Sequence, residues 1–181
     1  MTQDERNAMA VALMAEAGYG TDNPLTVEVI YNTSDGHQSV AVAIGLMWKP
    51  TLGVKVTLAN QEWATFLTTR GEQNYEIARS GWCAVYNEPS TYTDLLTSVS
   101  AYNDGKSVNT EIDALAQEAR FAQDAMPLYR QMEQIASDNA YLLPIYQYAS
   151  VRMIASNLEN WPTENLLQNW YFKDLYISAP E

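Results

Sequence analysis

Residues 24–58, PLTVEVIYNTSDGHQSVAVAIGLMWKPTLGVKVTL, decide how this chain folds. Pro24 opens a strand in which Leu25, Val27, Val29 and Tyr31 alternate with Thr26, Glu28 and Ile30, the two-residue period of a pleated element. Asn32-Thr-Ser-Asp-Gly36 is built from residues that turn the chain. A helix follows, with Val40, Ile44, Met47 and Trp48 on one face, and Pro50 and Gly53 are expected to end it. Val54, Val56 and Leu58 then alternate as a second strand. Strands joined through a helix of this length need crossover connections, so the expected architecture is α/β, a largely parallel or mixed sheet covered by helices.

Working outward, Thr2-Gln-Asp-Glu5 has the spacing of a capping box. Ala10, Leu13, Met14 and Ala17 fall at i, i+3, i+4 and i+7, which predicts an amphipathic helix closed by Gly18 and Gly20. On the other side, Gln61 to Arg70 reads as a short helix stopped by Gly71, and Tyr75 to Trp82 as a third strand. The second half is more helical. Ile112, Leu115, Ala116 and Ala119 form one apolar stripe, and Leu128, Met132, Ile135 and Ala136 another. Pro127 stands near the start of the latter, where its missing N–H costs little. Leu142 to Ile154 looks like strand interrupted by Pro144, a pattern of edge strands or domain crossings. The tail from Asn169 to Ile177 is aromatic and expected to be extended.

Composition narrows the function. With 47% hydrophobic and 18% charged residues the chain suits an ordered domain. Its 22 acidic and 10 basic residues leave a formal charge of −12, which excludes nucleic acid as an expected partner, because phosphate binding needs clustered cations. An anionic membrane surface is disfavoured on the same ground. Cys83 is the only cysteine and His37 the only histidine, so a disulfide within the chain, a cysteine-rich zinc site and a two-histidine metal motif are all ruled out. No apolar run reaches the roughly 20 residues that span a bilayer. No signal peptide is visible after Met1, and a targeting segment, if the parent protein is exported, is expected outside this sequence. Twelve Tyr and five Trp against three Phe fit either ordinary core and rim packing or a surface that is both apolar and hydrogen-bonding.

No catalytic constellation assembles. Cys83 with His37 is the only thiol–imidazole pair, and phosphate-cradling glycine loops are absent. The informative stretch is Tyr75-Glu-Ile-Ala-Arg-Ser-Gly-Trp-Cys-Ala-Val-Tyr-Asn-Glu-Pro89. A strand ends near Trp82, Gly81 allows an unusual backbone or a close approach, and ligands of α/β sheets gather beyond the carboxyl ends of strands. Arg79 shares a face with Tyr75 and Ile77, so its guanidinium calls for an anion, either an internal carboxylate or one brought by a ligand. Arg70 has two readings as well, a ligand contact or a cation complementing the end of its helix. Trp63, in the same helix, is either core or a site wall.

These residues carry a resemblance. Tyr31-Asn-Thr-Ser-Asp35 followed by His37, Asn60-Gln-Glu-Trp63 with Phe66-Leu67, and Ala78-Arg-Ser-Gly-Trp-Cys-Ala84 with Tyr86-Asn-Glu-Pro89 resemble the oligopeptide-binding branch of the bacterial extracellular solute-binding proteins, family 5, of ABC transporters. Leu143-Pro-Ile-Tyr146 with Tyr148 is a weaker match. The similarity runs from the first helix to the final aromatic strand.

The resemblance implies one lobe of a type II periplasmic-binding-protein-like fold, with residues 1–181 forming the carboxy-terminal ligand-binding lobe of a larger two-lobed protein. The last strand, 169–177, is then a candidate to belong to the missing amino-terminal lobe. It implies a non-enzymatic, cofactor-free receptor, periplasmic or lipid-anchored outside the cytoplasm, that closes on an oligopeptide and delivers it to an ABC permease in the inner membrane. A sensory or cell-wall-peptide-binding module on the same fold is the alternative. Carried over by position, Arg79 and Arg70 resemble the basic residues that meet the peptide carboxylate, and His37 one that does so for a longer peptide. Trp63 and Trp82 resemble pocket walls, and Tyr86 and Asn87 lie in the same ligand-facing block. Cys83 is expected to pair with a cysteine outside this chain. One position departs from the family: where an aspartate usually binds the free amino group of the peptide, this chain has Val85, which cannot neutralise an ammonium. The amino end is therefore expected to be anchored elsewhere, or to be absent from the ligand at that point.

Overall fold

The computed structural model describes residues 1–164, 167 and 170–178. Its decisive segment forms β1 (Thr26–Asn32), α2 (Asp35–Leu52) and β2 (Lys55–Gln61), preceded by α1 (Gln3–Glu16) and followed by α3 (Trp63–Gly71) and β3 (Ile77–Ala78). β1 and β2 run parallel, from Thr26 opposite Lys55 to Asn32 opposite Gln61. β3 joins the other edge of β1, also parallel, with Val29 opposite Ile77 and Ile30 opposite Ala78. The order is β2–β1–β3, as the crossover argument requires. The pairing continues one step past β3, where Arg79 N–H donates to the Ile30 carbonyl at 2.9 Å.

The central place of β1 explains a departure from simple alternation. Ile30, expected on the outer face, is 1% exposed, alongside buried Val27, Val29 and Tyr31. Only the far end of that face is covered: Thr26 and Glu28 stay exposed, whereas Ile30 lies where β3 pairs with β1. On the edge strand β2, by contrast, Leu58 is exposed. Against the sheet lies α2, and Gly45 sets the distance: a Cβ there would stand 3.3 Å from Val56 Cβ, so the helix approaches more closely than an alanine would comfortably allow. Ala41 is the buried residue of α2, while Met47, expected on its inner face, is exposed.

Several boundaries moved for local reasons. Pro50 does not end α2 but sits in its last turn, and Gly53 closes the helix in the left-handed conformation (φ 69°), which glycine adopts at little cost. α3 begins two residues late because the Glu62 carboxylate caps it, accepting from Ala64 N–H at 2.8 Å. The predicted third strand, Tyr75 to Trp82, shrinks to two residues, the ones that pair with Val29 and Ile30 of β1. The Thr2–Glu5 capping box is present in full.

The chain divides into two compact units, Met1–Gly81 and Trp82–Glu181. In the second, α4 (Ser90–Thr93), α5 (Thr110–Ala119) and α6 (Met126–Asp138) surround one core. The whole predicted stripe of α5 is buried, and Met132 and Ala136 of α6 face it together with Tyr129. Burying side chains such as Ile112 and Met132, each 0% exposed, contributes about 1.5–3 kcal/mol apiece. Asn109 caps α5 by accepting from the N–H groups of Glu111 and Ile112, and Pro127 occupies the first turn of α6 as expected.

Leu142 to Ile154, expected as interrupted strand, forms no strand and is exposed throughout. Pro144 removes one donor, and no described strand of this chain pairs with the segment. Beyond it, β4 (Leu158–Glu159) and β5 (Tyr176–Ile177) pair antiparallel. Of the tail expected to be extended over 169–177, Asn169 lies outside the described residues, Phe172–Asp174 is a 3₁₀ turn and only Tyr176–Ile177 is strand.

Candidate functional site

In the first unit, the parallel strands β1, β2 and β3 all present their carboxyl ends on one edge, and the predicted residues His37, Trp63 and Arg79 follow directly from it. His37 lies in the first turn of α2, Trp63 opens α3, and Arg79 follows β3. Asn32, the last residue of β1, ties two of them together. Its side-chain Oδ1 accepts from Arg79 Nη1 at 3.5 Å, and its backbone carbonyl lies 3.3 Å from His37 Nδ1. A carbonyl can only accept, so Nδ1 carries the proton in that contact. Thr33 fastens the same edge, donating from Oγ1 to Asn60 Oδ1 at 2.9 Å and from its N–H to the Gln61 carbonyl at 2.9 Å.

On α3, Trp63 is 51% exposed, which removes the core reading for it, whereas Phe66 one turn later is 0% exposed. The two rings stack with centroids 6.1 Å apart. Arg70 folds back over the Phe66 ring, its Cζ 5.4 Å from the centroid, a cation–π distance. The macrodipole reading also holds, because Arg70 is the basic residue of the last turn. Trp63, Phe66 and Arg70 thus form one stack that holds an aromatic surface toward solvent and a guanidinium half-buried.

The second unit holds Trp82, Cys83, Val85, Tyr86 and Asn87. Trp82 packs on Tyr102, ring centroids 4.8 Å apart and tilted by 57°. Its Nε1 is buried without a hydrogen-bond partner among the described residues, so the half-buried ring offers only part of its surface. Cys83 is exposed and free. Val85 is 65% exposed, and its N–H donates to Thr91 Oγ1 at 3.2 Å. Tyr86 is exposed, its hydroxyl 3.1 Å from Ser90 Oγ, and Asn87 is exposed as well.

A cleft of about 560 Å³ lies in the same unit, lined by Glu88, Asp94, Arg120, Asp124 and Tyr129 among others, and none of the predicted site residues borders it. Burial raises the Tyr129 phenol above its ordinary value, and the hydrogen-bonded Glu88 carboxylate raises it further against a smaller opposing effect of Ser90. The lining mixes charged side chains with Ala116, Ala119, Ala122, Ala125 and Met126 at a helix junction. Among the described residues no group of three His, Cys, Asp or Glu side chains is placed to hold a metal ion, and no helix is long and apolar enough to cross a membrane.

Sequence reasoning missed Asn32 as a site residue, filing it with the turn formers. The signal available was its position: a polar side chain at the carboxyl end of a predicted strand, where ligands of α/β sheets gather.

Comparison with known proteins shows the family. The sequence model of the bacterial extracellular solute-binding proteins, family 5 Middle, matches residues 2–104. The chain is 39% identical over 179 residues to the periplasmic oligopeptide-binding protein OppA of Salmonella typhimurium, covering 97% of this chain and 33% of that protein. It is 38% identical over 180 residues to the periplasmic murein peptide-binding protein MppA of Escherichia coli, covering 98% and 34%. Among solved structures, the Haemophilus influenzae OppA complex with RPPGFSPFR matches with a TM-score of 0.89 at 33% identity, over 98% of this chain and 36% of that one. The chain therefore spans about a third of the length of the relatives it matches.

Proposed function

Because the chain belongs to the bacterial extracellular solute-binding proteins of family 5, we propose that it is the carboxy-terminal lobe of a two-lobed receptor that captures oligopeptides outside the cytoplasm and passes them to an ABC permease. The observation that carries this reading is the Arg79 guanidinium, half-buried at the carboxyl edge of a parallel sheet and bonded there to the neutral amide of Asn32. A guanidinium at that edge suits a carboxylate, which it meets with two parallel N–H donors. His37 and Arg70 belong to the same unit, and Trp63 supplies an exposed aromatic wall. Peptide backbone held in strand-like fashion, with side chains in hydrated pockets, accounts for a broad sequence range. The family is one of binding proteins, and no reaction is assigned to the site.

Closure needs the other lobe, so the lobe by itself is expected to bind weakly. A randomised pool of tri- to pentapeptides, captured by the intact protein and identified by mass spectrometry, tests the proposal. The expected result is retention of intact peptides with varied side chains and free carboxyl ends. Cleaved products, or no retention, overturn it.

A second reading, a receptor for cell-wall peptides with a sensory rather than a transport role, is favoured by the nearly equal identity to the murein peptide-binding protein. Strong preference for a murein tripeptide over the randomised pool selects it.

A further inference from the structure

Gly81 has no backbone reason to be glycine. Its φ lies outside the left-handed region, so any L residue adopts that conformation without strain. What a side chain would meet is specific. The three nearest heavy atoms to an ideal Cβ on Gly81 are all from the Arg79 guanidinium, Nη2 at 2.9 Å, Cζ at 3.4 Å and Nη1 at 3.6 Å. The same guanidinium donates from Nη1 to Asn32 Oδ1 at 3.5 Å. The guanidinium therefore lies against the place a Gly81 side chain would occupy, while one of its N–H groups reaches Asn32.

We infer that Gly81 is a positioning residue for anion binding, its missing side chain being the seat that fixes the Arg79 guanidinium at the sheet edge. The inference rests on the reading of Arg79 as a carboxylate-binding group and adds to it the residue that sets its geometry. A methyl group at 81 stands closer to Nη2 than real side chains tolerate, and the end of an arginine is flexible enough to swing aside. The fold accommodates the change; the alignment of two N–H donors with a carboxylate does not, since productive geometry tolerates only about 0.5 Å of displacement. The consequence is a substitution that is silent in stability and visible in recognition.

The intact protein and its Gly81→Ala, Arg79→Gln and doubly substituted forms are titrated with two randomised tri- to pentapeptide pools, one with free carboxyl ends and one as carboxamides, and half-saturation is read from the thermal shift. Gly81→Ala is expected to keep the melting temperature of the unliganded protein, to weaken binding of the free-acid pool roughly tenfold, to leave the carboxamide pool unaffected, and to add nothing to Arg79→Gln. If Gly81→Ala binds the free acids like wild type while Arg79→Gln loses the preference for them, the role of Gly81 is overturned and that of Arg79 stands. If Arg79→Gln keeps the preference for free acids, or if no form binds either pool, both fail. Misfolding of Gly81→Ala, or equal weakening toward both pools, marks Gly81 as merely structural and overturns the inference.

Discussion

Arg79 and Asn32 meet at the carboxyl edge of the parallel sheet, the guanidinium donating from Nη1 to the side-chain oxygen of a neutral amide across 3.5 Å. The amide orients the guanidinium through a neutral acceptor. Asn32→Asp changes only that: it places a carboxylate where the amide was, pairs with Arg79 internally and repels an arriving anion. The expected result is affinity for free-acid peptides lowered by more than about tenfold, with folding stability equal to or above wild type. Calorimetric titration and urea denaturation of the intact protein check the two halves.

Trp63 and Phe66 stack on each other but have opposite exposures, 51% and 0%. Phe66→Ala is expected to cost about 3–5 kcal/mol, the range for emptying a buried aromatic site. Trp63→Ala forfeits little more than the ring contact, about 1 kcal/mol, yet weakens peptide binding. Denaturant midpoints separate the first effect from the second, and a large loss of stability for Trp63→Ala contradicts its assignment as a site wall.

Val85 is well exposed, so an ionised side chain there stays hydrated and costs little in folding. Val85→Asp is expected to raise the preference for peptides with a free amino end over their N-acetylated forms roughly tenfold. Paired titrations of wild type and variant measure that ratio. A wild-type protein that already prefers the free amine strongly, and loses the preference when residues around Val85 are altered, contradicts a displaced anchor.

Tyr129 supplies a pH dependence of stability. Burial, with the Glu88 carboxylate beside it, lifts its phenol above the ordinary value of 10.0, so the folded state holds this proton more tightly than the unfolded chain. The stabilisation is complete below the unfolded value and is lost as pH rises through the folded one. Above about pH 10, wild type is expected to lose stability more steeply with pH than Tyr129→Phe. Urea unfolding at neutral and alkaline pH reads the difference, and parallel slopes contradict it.

Much of this fold was legible because its signals are local. Thr2 and Glu5 cap a helix through neighbours only three residues apart, and the α5 stripe from Ile112 to Ala119 is buried as its spacing implied. What escaped depends on tertiary placement. Ile30 is buried because β1 is flanked on both edges, which no period-two pattern encodes. Leu142 to Ile154 has strand composition and exposed side chains, since composition states a preference and pairing requires a neighbour. At the site, Arg79 was legible as a cation in need of an anion. The amide that holds it was not, because Asn32 lies 47 residues away along the chain.

The decisive measurement is the crystal structure of the intact protein with a bound free-acid peptide. Both carboxylate oxygens are expected at about 2.7–2.9 Å from the Arg79 guanidinium nitrogens, beyond the ends of β1 and β3. A peptide whose carboxyl end lies elsewhere, with Arg79 turned onto a carboxylate of its own chain, contradicts the receptor reading.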